Sequence, residues 1–370
     1  MIAPRDIPKA IWFHTLIIMA IGLVALYSAT FNNARVGQGV FFDQLIFAGM
    51  GLCVMFGLSR THYRVFYDAA YPVYIINIIL LILVFVLGRE ALGATRWLSV
   101  GGISFQPSEL SKLSIIMLLA HYFSARKPSF IYKPAAGLWG LMNDLIFPFL
   151  LTSIGALLIF KQPDLGTSIL VMGIFLTILY ASGVHQRLIA LLFGVVALTM
   201  PFAWHFLKPY QRDRLLVFLN PDHDPLGAGY TIIQSKIAVG SGQLLGKGWL
   251  AGTQNQLNFL PERHTDFIFS VIGEEWGLAG SLLLLYCYFV LIDCALTLTT
   301  HHKDRFAQLM AVGIASILTM QVVINIGMNI GLFPVVGIPL PLISYGRTSF
   351  IVFIIMLGFL LNLCRRRTIF

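Results

Sequence analysis

Apolar residues in this chain gather into long runs separated by short polar connections. A helix needs about 20 apolar residues to cross roughly 30 Å of hydrocarbon. Ten runs approach that length: Ile11 to Thr30, Phe41 to Leu58, Ala70 to Leu87, Leu110 to Phe123, Leu145 to Phe160, Ser168 to Ala181, Leu188 to Leu207, Phe267 to Leu298, Phe306 to Leu332 and Ser349 to Leu363. The eighth run is too long for a simple crossing, since a helix of that length spans about 48 Å. Its first third, with Glu274 and Glu275, is expected to project beyond the hydrocarbon or to line a cavity. The pattern predicts an all-α polytopic membrane protein. It has about ten transmembrane helices in a single domain, residues 1–370, and one long connection, 208–266, between helices 7 and 8.

Composition supports the bilayer as solvent. The chain is 58% hydrophobic and 11% charged, with a mean hydropathy of +0.82, whereas soluble domains carry about 25% charged residues. Lys9, the first apolar run and the Tyr27-Ser-Ala-Thr30 that closes it have the outline of a signal peptide. The run is long for that purpose and further spans follow, so a retained first helix is expected. Cys53, Cys287, Cys294 and Cys364 lie in or beside apolar runs and form no Cys-x-x-Cys pair, which reads as apolar filler, not a metal or disulfide framework.

The net charge of +9 raises nucleic acid as a partner. The basic residues sit in short loops, so membrane orientation and anionic membrane lipids explain them better, with no nucleic acid. Thirteen fall on one side: Arg5, Lys9, Arg60, Arg64, Arg126, Lys127, Lys133, Arg187, Lys303, Arg305 and Arg365 to Arg367. Five fall on the other, outside the long connection: Arg35, Arg89, Arg96, Lys161 and Arg347. The first side is therefore expected to be cytoplasmic, with both termini inside and 208–266 outside.

That topology gathers the dense polar motifs on the outer face. Glu109 and Lys112 open the fourth span, Asp164 lies between spans five and six, and Arg212 and Arg214 lie early in the long connection. Glu262, Arg263, His264 and Asp266 end that connection; Ser344, Tyr345 and Arg347 precede the last span. Ionisable groups at membrane depth are costly and point to function. Structural readings stand beside the functional ones. Glu109 and Lys112, three apart on a helix, can neutralise each other. Asp164 and Asp266 each stand where a helix cap is wanted. Arg212 can anchor at headgroups, His264 suits a hydrogen bond better than a metal, and Asn325 and Asn329 suit interhelical bonding. Gly242-Gln-Leu-Leu-Gly246-Lys247-Gly248 has the wrong spacing for a phosphate loop, and no zinc-protease or nucleophile-elbow motif occurs.

Seven ordered motifs resemble the SEDS family (shape, elongation, division, sporulation): Arg96-Trp97-Leu98, Phe105-Gln-Pro-Ser-Glu109, Gln162-Pro-Asp164-Leu-Gly-Thr-Ser168, Tyr210-Gln-Arg212, Asp224-Pro-Leu-Gly-Ala-Gly-Tyr230, Pro261-Glu-Arg-His-Thr-Asp266-Phe and Pro339-Leu-Pro-Leu-Ile-Ser344-Tyr-Gly346. They cover nearly the whole chain, and Gln234 to Gly242 is similar to the elongation members more than to the division members. The resemblance implies a ten-span glycosyltransferase acting on lipid II, with a class B penicillin-binding protein as partner. It places the catalytic aspartate at Asp266 and other important polar positions at Glu109, Lys112, Asp164 and Arg212. One departure is Arg347, where the family usually has glycine.

Sugar transfer from a lipid diphosphate needs a base for the attacking hydroxyl and neutralisation of the leaving group. In this family the donor linkage is α and the product β, so one inverting displacement with one base suffices. Asp266 suits the base, with a pKa raised by partial dehydration. Lys112, Arg212 and Arg263 suit the diphosphate, and Ser344 and Tyr345 the substrate-binding outer mouth. Glu109 and Asp164 suit the orientation of those cations or of a divalent ion (Mg or Mn), and no other cofactor is expected. A lipid-precursor flippase and a scaffold for the penicillin-binding protein are the alternative readings.

Overall fold

In the computed structural model, described for residues 5–32, 39–91, 94–100, 103–126, 140–192, 194, 198, 209–220, 224 and 227–365, the apolar runs form helices. These are α1 (Ile7–Phe31), α2 (Gly39–Arg60), the short α3 (Tyr63–Asp68), α4 (Ala70–Leu87), α5 (Pro107–Ala125), α6 (Phe147–Lys161, entered by a π turn at Met142–Ile146) and α7 (Leu165–Ala181). After α8 (Pro209–Leu219), α9 (Ala228–Ser241) and α10 (Thr253–Gln256) come α11 (Ile268–His301), α12 (Arg305–Asn329) and α13 (Arg347–Arg365). Among the described residues seven helices are long and apolar enough to cross a membrane, and α7 is a shorter apolar helix. α5 corresponds to the expected fourth span. Most of the expected seventh span, 188–207, lies outside the described residues.

α5, α12 and α13 form the interior. α13 packs on α2, α12 on α11, α5 and α7, and α1 on α11. α2 and α4 carry rows of exposed apolar side chains such as Phe42, Ile46, Ile75, Ile79 and Phe85, a surface that only lipid solvates well. The chain is a membrane protein. Its ends are set locally: Pro107 starts α5, and the Asp164 and Asp304 carboxylates accept Thr167 N at 3.2 Å and Phe306 N at 3.3 Å to cap α7 and α12.

The fold is mostly helical, as expected, with two additions to the pattern of spans. Between α4 and α5 the chain forms a three-stranded antiparallel meander, β1 (Arg89–Ala91), β2 (Ala94–Val100) and β3 (Ile103–Phe105). Two of its strands are three residues long, too short to display a period of two in the sequence. The long connection, in turn, contains α8, α9 and α10. Its glycines suggest loop, but α9 is fastened to the bundle by Ser235 Oγ, at 2.7 Å from both Ser270 Oγ and Asn329 O.

α11 breaks at Gly277, whose φ of 64° and ψ of −157° suit a residue without Cβ. The groups freed by the break are taken up by one segment of the long connection. Lys247 N and Gly248 N donate to Glu274 O and Glu275 O, each at 3.0 Å, while Leu278 N and Ala279 N donate to Gln243 O and Leu244 O at 2.9 and 3.0 Å. Unpaired backbone groups at membrane depth are costly, so this exchange holds the segment against α11. The Glu274 carboxylate is fully buried and accepts from Gln254 N at 3.0 Å, Asn255 N at 3.2 Å and Lys247 Nζ at 2.8 Å. The first third of this helix is thus covered by the connection it follows.

Candidate active site

Asp266 lies on a turn immediately before α11. Phe267 is the residue that precedes the helix and no side chain caps it, so Asp266 does not serve as its cap. The turn is fixed through backbone atoms. Asn325 Nδ2 and Asn329 Nδ2, one helical turn apart on α12, donate to Asp266 O at 3.0 and 3.1 Å. The expected interhelical bonding role of these two amides is therefore aimed at the residue of interest. Thr265 O accepts from Ser344 Oγ at 2.6 Å, and His264 O accepts from Tyr345 N at 2.9 Å.

Among the described residues the Asp266 carboxylate has no hydrogen-bond donor, which leaves its lone pairs available. Burial, reinforced by the negative charge of Glu262, pushes the carboxyl up to about 6, against the pull of Arg214 and Arg96. A Cβ at Gly337, where φ is +69°, would stand 3.6 Å from Asp266 Oδ2, so backbone walls one side of the carboxylate. Next to it, burial pushes the His264 imidazole below its usual range and keeps it neutral at pH 7.

Asp164 gathers the neighbouring motif. Its carboxylate accepts from Thr167 N, from Ser108 Oγ at 3.0 Å and from Gln106 Nε2 at 3.2 Å, while Gln106 N donates to Thr348 Oγ1 at 3.1 Å. The start of α5, the start of α7 and the start of α13 therefore meet here. Arg96 on β2 donates from Nε to Gln162 O at 3.0 Å and from a second N–H to Pro163 O, which ties the meander to the same point.

Lys112 and Glu109 form a buried ion pair at 2.6 Å on α5. Lys112 Nζ also reaches Gln321 Oε1 at 3.5 Å and stands 5.6 Å from the Phe353 ring centroid. Gln321, Asn325 and Asn329 repeat at spacing four on α12, so one polar stripe runs from the Lys112 pair to the Asp266 turn.

Three of the expected substrate-binding residues have partners within the protein. Arg263 is buried and donates to Ala29 O at 2.8 Å and to Asn258 Oδ1, which locks the turn to α1. Ser344 accepts Leu340 N at 2.8 Å besides bonding Thr265, and Tyr345 reaches Asp43 Oδ2 at 3.5 Å. These two position the Asp266 turn. Arg212 is half-buried on α8. Arg347 is ion-paired to Asp43 on α2, so its charge does not add an unbalanced cation to the outer mouth. Glu109 bonds Lys112 and Asp164 bonds Ser108 and Gln106; among the described residues no three His, Cys, Asp or Glu side chains could hold a metal ion.

The family described as cell cycle protein, FTSW_RODA_SPOVE, matches residues 8–369. The chain belongs to this SEDS family. It is 43% identical over 356 residues to "Peptidoglycan glycosyltransferase MrdB" of Escherichia coli (strain K12), covering 95% of this chain and 93% of the relative. "Peptidoglycan glycosyltransferase RodA" of Treponema pallidum (strain Nichols) is 31% identical over 427 residues, covering 95% and 96%. A chain from the solved structure "Structural coordination of polymerization and crosslinking by a peptidoglycan synthase complex" aligns with a TM-score of 0.80 at 34% identity, covering 96% of this chain and 97% of that one. The Thermus thermophilus rod shape determining protein RodA aligns with a TM-score of 0.70 at 31% identity, covering 96% of each chain.

Four further residues of this SEDS site have roles that sequence alone does not single out. Gln321 is visible in retrospect as the third amide of the spacing-four stripe. Arg96 and Arg214 stand in outer motifs but carry no signal that separates them from Arg212. Asp43 sits in an apolar span, where a lone carboxylate is itself a signal.

Proposed function

We propose that this SEDS protein is a peptidoglycan glycosyltransferase that polymerises lipid II on the outer face of the bacterial inner membrane during elongation. The observation that carries this reading is Asp266: a carboxylate without a hydrogen-bond donor among the described residues, pushed up to about 6, on a turn fixed by Asn325, Asn329 and Ser344. A base poised near the working pH and held rigidly is what deprotonation of a sugar hydroxyl requires. The acceptor hydroxyl gives its proton to Asp266 as its oxygen attacks the anomeric carbon, and undecaprenyl diphosphate departs from the opposite face.

The remaining assignments follow from the charge bias and from the relatives. Both termini are cytoplasmic, ten helices span, and α8 to α10 lie on the outer side. A class B penicillin-binding protein crosslinks the product. A divalent cation, Mg or Mn, would supply further neutralisation of the leaving diphosphate beside the protein's own cations, and the loss of rate on adding EDTA measures its share.

The test is purified protein, with and without that partner, reconstituted in vesicles with labelled lipid II. Glycan polymer is the expected product. Translocated but unpolymerised lipid II supports a flippase, and neither product with the partner present supports a scaffold; each contradicts the proposal.

A further inference from the structure

At the basic end of the bundle, the start of α1 and the ends of α2 and α13 border a cleft of about 500 Å³ that the transferase reading does not use. Small-ligand sites typically enclose about 300–1,000 Å³. We infer that this cleft binds one anionic glycerophospholipid, with its phosphate between Lys9 and Arg365 and an acyl chain along Phe13 and Leu16. The inference goes beyond the transferase reading and does not depend on it.

Lys9, Trp12, Phe13 and Leu16 line the cleft from α1, and Leu361 and Arg365 line it from α13. The α1 residues recur at helical spacing, so they share one face. At 1.5 Å per residue, Leu16 lies about 10 Å further along the axis than Lys9. Leu361 stands one turn inside Arg365 on α13. Between charge and hydrocarbon comes Trp12, half-buried at the level where indoles favour the membrane interface. Phe13 is 61% and Leu16 46% exposed, so the apolar wall opens toward lipid. Cation, indole and hydrocarbon follow in the order of a phospholipid read from phosphate to acyl chain.

The charge of the cleft has one sign. Among the described residues that line it, Lys9 and Arg365 are cations and none is a carboxylate. Both side chains are exposed, and neither is ion-paired among the described residues. Asp6, the carboxylate nearest to Lys9 in sequence, is paired with Arg5 at 3.6 Å. Lys9 and Arg365 come from opposite ends of the chain, and the fold brings them together because α1, α2 and α13 pack on one another. Long basic side chains lay their stems along apolar surface and keep the charge at its edge, where a phosphate diester sits. A zwitterionic lipid carries its own cation to the same place and gains less, and that difference is the specificity of the site.

Trp12 reports occupancy directly, because a brominated acyl chain quenches the fluorescence of an indole it touches. Full-length protein is reconstituted in phosphatidylcholine vesicles and titrated with brominated phosphatidylglycerol or brominated phosphatidylcholine. The share of quenching lost in Trp12→Phe belongs to this cleft. One basic residue at an anionic membrane surface contributes about fivefold, so two should make phosphatidylglycerol preferred by at least about tenfold. Lys9→Gln and Arg365→Gln should each lower the preference by about fivefold, and the double variant should abolish it. Arg64→Gln, on α3 and lining a different cleft, should keep it. The altered side chains are exposed, and a wild-type melting temperature in phosphatidylcholine confirms that the variants are folded. No preference in wild type, or an unchanged preference in the double variant, overturns the site. An equal loss in Arg64→Gln also overturns it and assigns the preference to surface charge alone.

Discussion

Ser344 Oγ donates to the carbonyl of Thr265 at 2.6 Å, one residue before Asp266. The same hydroxyl accepts Leu340 N at 2.8 Å, so a single side chain joins the segment before α13 to the turn before α11. Removing it leaves a part-buried carbonyl and a buried amide without this partner. Ser344→Ala should cost about 1–3 kcal/mol of stability. It should also lower kcat more than it raises KM, because the base is less well held. Thermal unfolding together with initial polymerisation rates checks both parts.

Asp266 carries a sign that can be read twice. With its carboxyl pushed up to about 6, the basic form grows as pH rises, so kcat/KM should climb between pH 5 and 7 and level off above. Glu262 raises the carboxyl, so Glu262→Gln should move this limb to lower pH. Arg96 and Arg214 lower it, so Arg96→Gln or Arg214→Gln should move the limb to higher pH.

For stability the sign is opposite. A carboxyl raised in the folded state from 3.8 to about 6 binds its proton more tightly when folded. That contribution is present below about pH 4 and is lost as pH rises through 6. Ionised Asp266 is therefore a burden on the fold at pH 8. Asp266→Asn should melt at or above the wild-type temperature there, measured by a thermal shift in the same detergent.

The Glu109–Lys112 pair is fully buried, and breaking such a pair by removing one partner costs about 3–5 kcal/mol because the other charge is stranded. Lys112→Met and Glu109→Gln should each lower the yield of folded protein. The double variant should recover much of that yield. Recovery of fold without recovery of polymerisation would assign the pair a part in the reaction, transmitted through Gln321.

Arg347 and Asp43 are both partly exposed, so their ion pair is worth at most about 1 kcal/mol. Arg347→Gly should leave the melting temperature nearly unchanged. Its effect on apparent lipid II affinity should be matched by Asp43→Asn, because both variants break the same pair.

The apolar runs made the helices legible to within a few residues, and Ala70 to Leu87 coincides with α4 at both ends. Hydropathy reads the cost of burying backbone in lipid, and that cost dominates wherever lipid is the neighbour. It is silent about the meander of 89–105 and about α9, which are held by local pairing and by Ser235. The site was legible where one residue type does one job: Asp164 as a cap, Asn325 and Asn329 as donors. It was not legible for Arg263 or Arg347. Sequence shows that a guanidinium is present, but the Ala29 carbonyl and the Asp43 carboxylate that claim these two come from α1 and α2, more than 200 residues away.

The most direct measurement is lipid II polymerisation by purified Asp266→Asn with its crosslinking partner present, alongside lipid II binding. Asparagine keeps the size of the side chain and leaves the Asn325 and Asn329 bonds to the Asp266 carbonyl intact. Loss of a general base costs about 10²- to 10⁴-fold in rate. The account predicts a polymerisation loss in that range with lipid II binding retained. Polymerisation within about twofold of wild type at equal protein level would contradict it and remove Asp266 from the chemistry.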